Sequence, residues 1–306
     1  MPSDERRYRL RWVDVFTERA LAGNPLAVVL DADGLSTPQM QAIARETNLS
    51  ETTFVLPPEK GEYAAKVRIF TPRVELPFAG HPTVGTGWVL LDEGLVGSDA
   101  STFTLEEGVG PISVRVDRGG KTIVLWMSHP PAKFGEVVEQ REEVAVALGL
   151  RVADLIPDVP IQIASTGLPF LYVALKDAAA VDRAVSNGDA LTRVLDGYGL
   201  PPVVLFAATG GGRLYSRMFG LHSATSIVED PATGSASGPL GAFAVRYGLV
   251  QRAPRVGIVS EQGTKMGRQS FIQIKLAYPT EGDIPDRIEV GGSVVPVMTA
   301  ELSIRA

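Results

Sequence analysis

The sequence predicts an α+β protein of two pseudo-symmetric halves, each a set of short strands wrapped around one buried helix. Three observations lead there. A pattern of residues occurs twice without a gap, two helix-like stretches are apolar or small on nearly every face, and the rest reads as short strand-like runs between turn residues.

In chain order, Tyr8 to Phe16 and Ala27 to Leu30 read as strands. Ser36 to Thr47 reads as an outer helix, because Ser36 and Gln39 have the spacing of a capping box and Met40, Ile43 and Ala44 form an apolar stripe. Thr53 to Leu56 and Val67 to Phe70 are strand-like. A helix follows Pro82, with Val84, Trp88 and Leu91 on one face, Val89 and Leu90 thickening it and Gly94 placed to close it. Ile112 to Val116 and Ile123 to Met127 complete the first half. His129, Pro130 and Pro131 then read as a linker, giving halves of residues 1–128 and 129–293.

In the second half, Leu171 to Leu175 and Tyr215 to Phe219 are strand-like. A second buried helix follows Pro231, running through Ala236, Leu240, Phe243, Ala244 and Tyr247 to Gly248, with Gly234, Ser235, Ala236, Ser237 and Gly238 crowding its start. Strands are expected at Val256 to Val259, Ile272 to Leu276 and Arg287 to Gly291. A last strand, Val294 to Ile304, is expected to return to the first half.

The repeat itself is Arg68, Phe70, His81, Pro82, Gly85, Thr86 against Arg217, Phe219, Asp230, Pro231, Gly234, Ser235. The offsets agree: 81 − 68 and 230 − 217 are both 13, and 85 − 82 and 234 − 231 are both 3. A polar residue before proline suits a helix start, since proline lacks an N–H that the first turn would leave unpaired. His81 and Asp230 are therefore expected at helix N-caps. Packing alone would explain a duplication, but the polar residues of the repeat sit where packing least requires them, which favours a shared cleft between the halves.

Composition removes several classes of function. The 306 residues are 45% hydrophobic and 21% charged, enough for a sizeable core. A net charge of −6 without a basic cluster argues against nucleic acid as a partner. No stretch is long and apolar enough to span a membrane, and Met1 to Arg9 is polar, so a cytoplasmic address is expected. With no cysteine there is no disulfide, thiolate metal site or thiol nucleophile. The histidines His81, His129 and His222 lack metal-pair spacing, and His129 and His222 are assigned no role, so no metal or other cofactor is expected. Glycines at 210–212, and at Gly263 and Gly267, lack the features of nucleotide loops and read as turns.

What remains points to an acid as ligand. Two helix N-termini at one cleft would offer free N–H groups and positive dipole ends to a carboxylate, and Gly234, Ser235 and Ala236 would add accessible amides. Glu51, at the entrance of an apolar strand, would suit proton transfer if buried, while amide bonds and the helix dipole would keep Asp230 ionised. A solvated Glu51, with His81 and Asp230 as simple caps, is the plainer alternative.

The sequence resembles the PhzF-like phenazine biosynthesis family, within the diaminopimelate epimerase-like superfamily. The matching stretches are Val13 to Val29, Asn48 to Phe54, Arg68 to Thr86, Glu229 to Gly238 and Glu261 to Ser270. The resemblance implies that each half is a barrel-like, mostly antiparallel sheet around a central helix, and that the protein is a homodimer. It implies Glu51 as general acid/base, with His81, Asp230 and Ser235 positioning substrate and assisting proton movement. Asn24, Gly80, Gly234 and Ala236 fall in the matching stretches as substrate contacts. The phenazine-pathway member of the family isomerises trans-2,3-dihydro-3-hydroxyanthranilate without a cofactor. Related epimerases use two cysteines, which this chain lacks, and Gln269 stands where the family often has proline. The expected function is a cofactor-independent isomerase of a small acidic substrate. A binding protein that lost its chemistry and a metal-dependent lyase or hydrolase using His81 and Asp230 are the alternatives.

Overall fold

The structure is a computed structural model that describes residues 5–221 and 228–305. The chain divides into two compact units, Met1–Met127 with Gly292–Ala306, and Ser128–Gly291. Among the described residues, no helix is long and apolar enough to cross a membrane.

The first unit contains β1 (Glu5–Val15), β2 (Asn24–Val29), α1 (Thr37–Thr47), β3 (Thr52–Leu56), β4 (Ala65–Phe70), β5 (Glu75–Leu76), α2 (Gly80–Asp92), β6 (Thr102–Glu107), β7 (Gly110–Asp117) and most of β8 (Val124–His129). β1 pairs antiparallel with β2. The connection through α1 makes β2 and β3 parallel, β4 returns antiparallel to β3, and the connection through α2 makes β4 and β6 parallel. β7 and β8 close the succession antiparallel.

The second unit repeats this order. After β9 (Lys133–Val137) and α3 (Arg141–Ala147) come β10 (Gln162–Ser165), β11 (Pro169–Ala174), α4 (Ala178–Arg183), α5 (Gly188–Val194), β12 (Val203–Gly210), β13 (Arg213–Phe219), β14 (Glu229–Asp230), α6 (Gly234–Arg246), β15 (Arg255–Gln262), β16 (Ser270–Ala277) and the first residues of β17 (Arg287–Arg305), whose remainder belongs to the first unit. β10 and β11 are antiparallel, β11 and β12 parallel across α4 and α5, β12 and β13 antiparallel, and β13 and β15 parallel across α6. The duplicated residues thus belong to a duplicated topology, strand for strand, from β1 to β8 and from β10 to β17.

Each unit buries one helix nearly all round. In α2 ten of thirteen residues are buried, and in α6 every residue but Arg246 is. Glycine makes this possible. A Cβ on Gly85 would lie 2.6 Å from Leu26 and 2.8 Å from Val15, and one on Gly241 2.8 Å from Ile274. Polar helix residues find partners on the surrounding strands: Thr86 Oγ1 lies 2.8 Å from Thr53 Oγ1 of β3, and Tyr172 of β11 donates to the Ala236 carbonyl at 2.8 Å. Phe243 of α6 packs against the rings of Tyr172 and Phe206.

Outer helices cover the other faces. Ser36 caps α1 through a capping box with Gln39, and Met40, Ile43 and Ala44 are its buried stripe, as the sequence predicts. In the second unit α3, α4 and α5 bury Val144, Ala145, Val181 and Leu191 in a separate apolar cluster. These three helices are not predicted from the sequence, because six or seven residues give too few turns to establish a period. Strands β6, β9, β10 and β12 are likewise found only in the structure.

The two predicted C-terminal strands are one continuous strand, β17. Its first residues pair with β16 and its remainder with β1. No turn intervenes at Gly292, where glycine instead allows β17 to approach Phe16: a Cβ there would lie 2.5 Å from the Phe16 ring. The glycines of the β12–β13 hairpin, Gly210 to Gly212, all have positive φ, as do Gly263 and Gly267 around a 3-10 turn. Both stretches are turns.

Candidate active site

Glu51 is placed by the end of α1. Asn48 adopts the left-handed conformation (φ 51°) that its short polar side chain tolerates, and this turns the chain toward β3, one residue beyond Glu51. Glu51 is buried, at 7% exposure. Asn24, fully buried, opens β2. Ahead of it Gly23 has φ 68°, and a Cβ would lie 2.4 Å from the Val15 carbonyl oxygen, so only glycine fits. Asp14 accepts from the Leu21 N–H at 2.6 Å and ties the same loop.

His81 joins these residues. Its Nδ1 lies 3.5 Å from Glu51 Oε2 and 3.3 Å from Asn24 Nδ2. Burial drives the His81 pKa down to about 3, against a weaker opposing pull from the Pro25 carbonyl, so the imidazole is neutral near pH 7. The His81–Glu51 approach is therefore a contact of a neutral ring with a carboxyl group and not an ion pair.

His81 is not the N-cap of its helix. The cap is Ala79, in extended conformation, and Gly80, His81 and Pro82 are the first three residues of α2. Pro82 still falls in the first turn, where a missing N–H costs no intrahelical bond. Gly80 and His81 contribute backbone N–H groups that the helix does not use.

Asp230 departs further from expectation, because it lies on β14, three residues before the N-cap Thr233 of α6. The residues between are held as a turn by side chains. Thr233 Oγ1 donates to Asp230 Oδ2 at 2.5 Å, and Gln262 donates to the Asp230 carbonyl at 2.7 Å while accepting from the Thr233 N–H at 3.3 Å. Asp230 is buried, at 4% exposure. Gly234, Ser235 and Ala236 are the first three residues of α6, so their N–H groups are those without intrahelical partners. Gln262 and Thr233 were not singled out by sequence reasoning. The signal available was that Gln262 sits in the stretch Glu261 to Ser270.

The arginines of the repeat have a structural role. Arg68 forms a two-pronged pair with Glu75 of β5 (2.7 and 2.7 Å), and Arg217 with Glu229 of β14 (2.7 and 2.9 Å). Each lies over the phenylalanine two residues on, at 5.1 Å and 4.7 Å. In both units the arginine fastens the short strand that leads to the central helix.

His129 is structural as well. Its Nδ1 lies 2.7 Å from Thr166 Oγ1, and a Cβ on Gly238 of α6 would come within 2.5 Å of that nitrogen. His222 lies outside the described residues. Gln269 donates to Glu261 at 2.9 Å, tying its turn by a side chain. Among the described residues, no three His, Asp or Glu side chains cluster as a metal centre would require.

The sequence profile of the phenazine biosynthesis-like protein family (PhzC-PhzF) matches residues 13–300. The chain belongs to this family. Trans-2,3-dihydro-3-hydroxyanthranilate isomerase of Pseudomonas chlororaphis is 37% identical over 287 residues, which cover 92% of this chain and 95% of that protein. The crystal structure of a PhzF-family phenazine biosynthesis protein from Bacillus anthracis superposes with a TM-score of 0.89 at 28% identity, covering 98% of this chain and all of that one. A hydroxyproline epimerase of Agrobacterium vitis shares the fold, with a TM-score of 0.65 at 11% identity over 99% of this chain and 94% of its own. The protein is an isomerase of the PhzF type, on the α+β fold that this family shares with epimerases.

Proposed function

We propose that this isomerase moves a proton between carbons of a small cyclic carboxylic acid without a cofactor, with Glu51 as the general acid/base. The observation that carries the reading is the buried approach of Glu51 to neutral His81 at 3.5 Å. A proton shuttle must be charged in one step and neutral in the next, which a permanent cation beside it would prevent. A neutral imidazole leaves the Glu51 carboxyl able to change charge, and Asn24 lies against the same ring nitrogen at 3.3 Å.

In this reading Glu51 takes a proton from one substrate carbon, and the electron pair left behind enters the adjoining double bonds. Glu51 then returns the proton to a different carbon, so no atom is gained or lost. Gly80, Gly234, Ser235 and Ala236 supply helix-end amides for the substrate carboxylate. Asp230, held by Thr233, orients the substrate's polar groups, and the Ser235 hydroxyl assists the moving proton. Trans-2,3-dihydro-3-hydroxyanthranilate, named for the Pseudomonas chlororaphis relative, is an acid of this kind. A cytoplasmic homodimer is part of the same proposal, and light scattering and cell fractionation test it.

The test is incubation with that compound and a panel of small cyclic amino and hydroxy acids, followed by mass spectrometry and NMR. A product of unchanged mass with a relocated hydrogen is expected. A product that has lost water or a fragment, or tight binding of such acids with no turnover and no C–H exchange in D2O, overturns the reading.

A further inference from the structure

Behind the first turn of α2 lies a carboxyl group that the proposed chemistry does not use. Glu107 ends β6 at 5% exposure, and its Oε1 is 2.7 Å from Thr83 Oγ1. The same Thr83 hydroxyl is 2.8 Å from the carbonyl oxygen of Ala79, the N-cap of α2. A hydroxyl has one hydrogen, and a carbonyl oxygen has none to give. Both contacts are satisfied together only when Thr83 donates to Ala79 and receives a hydrogen from Glu107.

The surroundings agree. Among the described residues Glu107 Oε2 has no hydrogen-bond partner, a condition far more costly for a carboxylate than for a neutral acid. Among the described residues, no cation pairs with Glu107. Lys66 of β4 pairs with Glu59, and Arg68 of β4 pairs with Glu75 of β5. Those four residues, Asp33 and Glu106 line one groove with Glu107, so its charged neighbours are predominantly acidic. On α2 the titratable group nearest in sequence to Thr83 is His81, which is neutral. Burial pushes the Glu107 carboxyl up to about 8.

The turn that follows Glu107 is seated on the same segment. Val109 N–H donates to the Pro77 carbonyl at 3.1 Å, and a Cβ on Gly108 would lie 2.8 Å from Pro77 Cα. The β6–β7 hairpin therefore grips the chain just before α2 from outside and, through Thr83, from within.

We propose that Glu107 is a positioning residue for His81: its carboxylic acid donates to Thr83, Thr83 donates to Ala79, and this relay pins the first turn of the helix that carries the imidazole. Ionisation of Glu107 breaks the relay by leaving Thr83 two acceptors for one hydrogen. The functional meaning rests on the reading of His81 as a site residue, whereas the relay itself does not.

The experiment follows the His81 imidazole by NMR from pH 6.5 to 9.5 in the full-length protein, with His81→Gln for assignment. Wild type should show its His81 resonances moving with a midpoint near pH 8. Glu107→Gln, whose amide can still donate to Thr83, should hold the neutral-pH positions across the range. Thr83→Val should displace them at every pH. Wild-type His81 resonances that stay fixed through pH 9.5, or that move equally in Glu107→Gln, overturn the proposal. The readout needs no substrate, so its result stands apart from any failure of the isomerase reading. Where turnover is measured, Glu107→Gln should also remove an alkaline loss in kcat that wild type shows near pH 8.

Discussion

Replacing His129 with glutamine tests how strongly the second unit holds a neutral imidazole. Desolvation of its ring nitrogens lowers the His129 pKa from 6.5 to about 4. A base whose folded pKa is depressed contributes stability above its unfolded pKa, and that stability is lost as pH falls from 6.5 toward 4. At pH 5 the unfolded chain has bound the proton and the fold has not, which amounts to about 2 kcal/mol. Glutamine does not titrate and keeps a polar end for Thr166. Its deficit relative to wild type, whatever its size at pH 8, should therefore shrink by about 2 kcal/mol at pH 5. The difference is the quantity to follow, because Glu107, with its pKa raised to about 8, changes wild-type stability in the opposite sense as pH rises. Urea unfolding of both proteins at pH 8, 6.5 and 5 measures it. A deficit constant across that range would show that His129 is not held neutral by burial.

The two repeat arginines should differ in cost despite their matching geometry. Arg217, at 7% exposure, also donates to the carbonyls of Val181 and Ala184, so Arg217→Ala strands Glu229 and should cost roughly 3–5 kcal/mol. The Arg68 and Glu75 side chains are 22% and 39% exposed, so Arg68→Ala should cost about 1 kcal/mol; equal losses in thermal unfolding would contradict this. Tyr172→Phe removes a buried bond to Ala236 and should cost about 1 kcal/mol. Because that bond steadies the turn carrying Ser235 and Ala236, KM for the substrate should rise and kcat should fall, and unaltered values of both would count against Ser235 and Ala236 as site residues.

The parts of the fold legible in the sequence are those with a repeating local signal. The capping box at Ser36 and Gln39 marked α1, and the small residues from Gly234 to Gly238 marked a helix that backbone or side chains approach closely. The duplicated Arg-x-Phe and polar-Pro segments revealed the duplicated topology. Local signals failed where side chains from distant parts of the chain decide the backbone. Pro231 looked like a helix start, but Thr233 and Gln262 hold the residues after Asp230 as a turn and delay α6 to Gly234. Gln262 is 32 positions from Asp230, and no spacing rule connects them. At the site, the contact of Glu51 with His81 depends on β2, β3 and α2 meeting, and residue patterns alone left Glu51 as readily a solvated residue. Glu107 was invisible for a related reason: its burial comes from the β6–β7 hairpin folding over the entry to α2.

The central claim is that the Glu51 carboxyl carries the proton between substrate carbons. Turnover of Glu51→Gln, on a substrate that wild type isomerises, tests it most directly, since glutamine keeps the size of the side chain and removes its capacity to accept and return a proton. With circular dichroism and thermal unfolding unchanged, kcat should fall by at least about a hundredfold. Turnover equal to wild type would contradict the account and move the proton to another group.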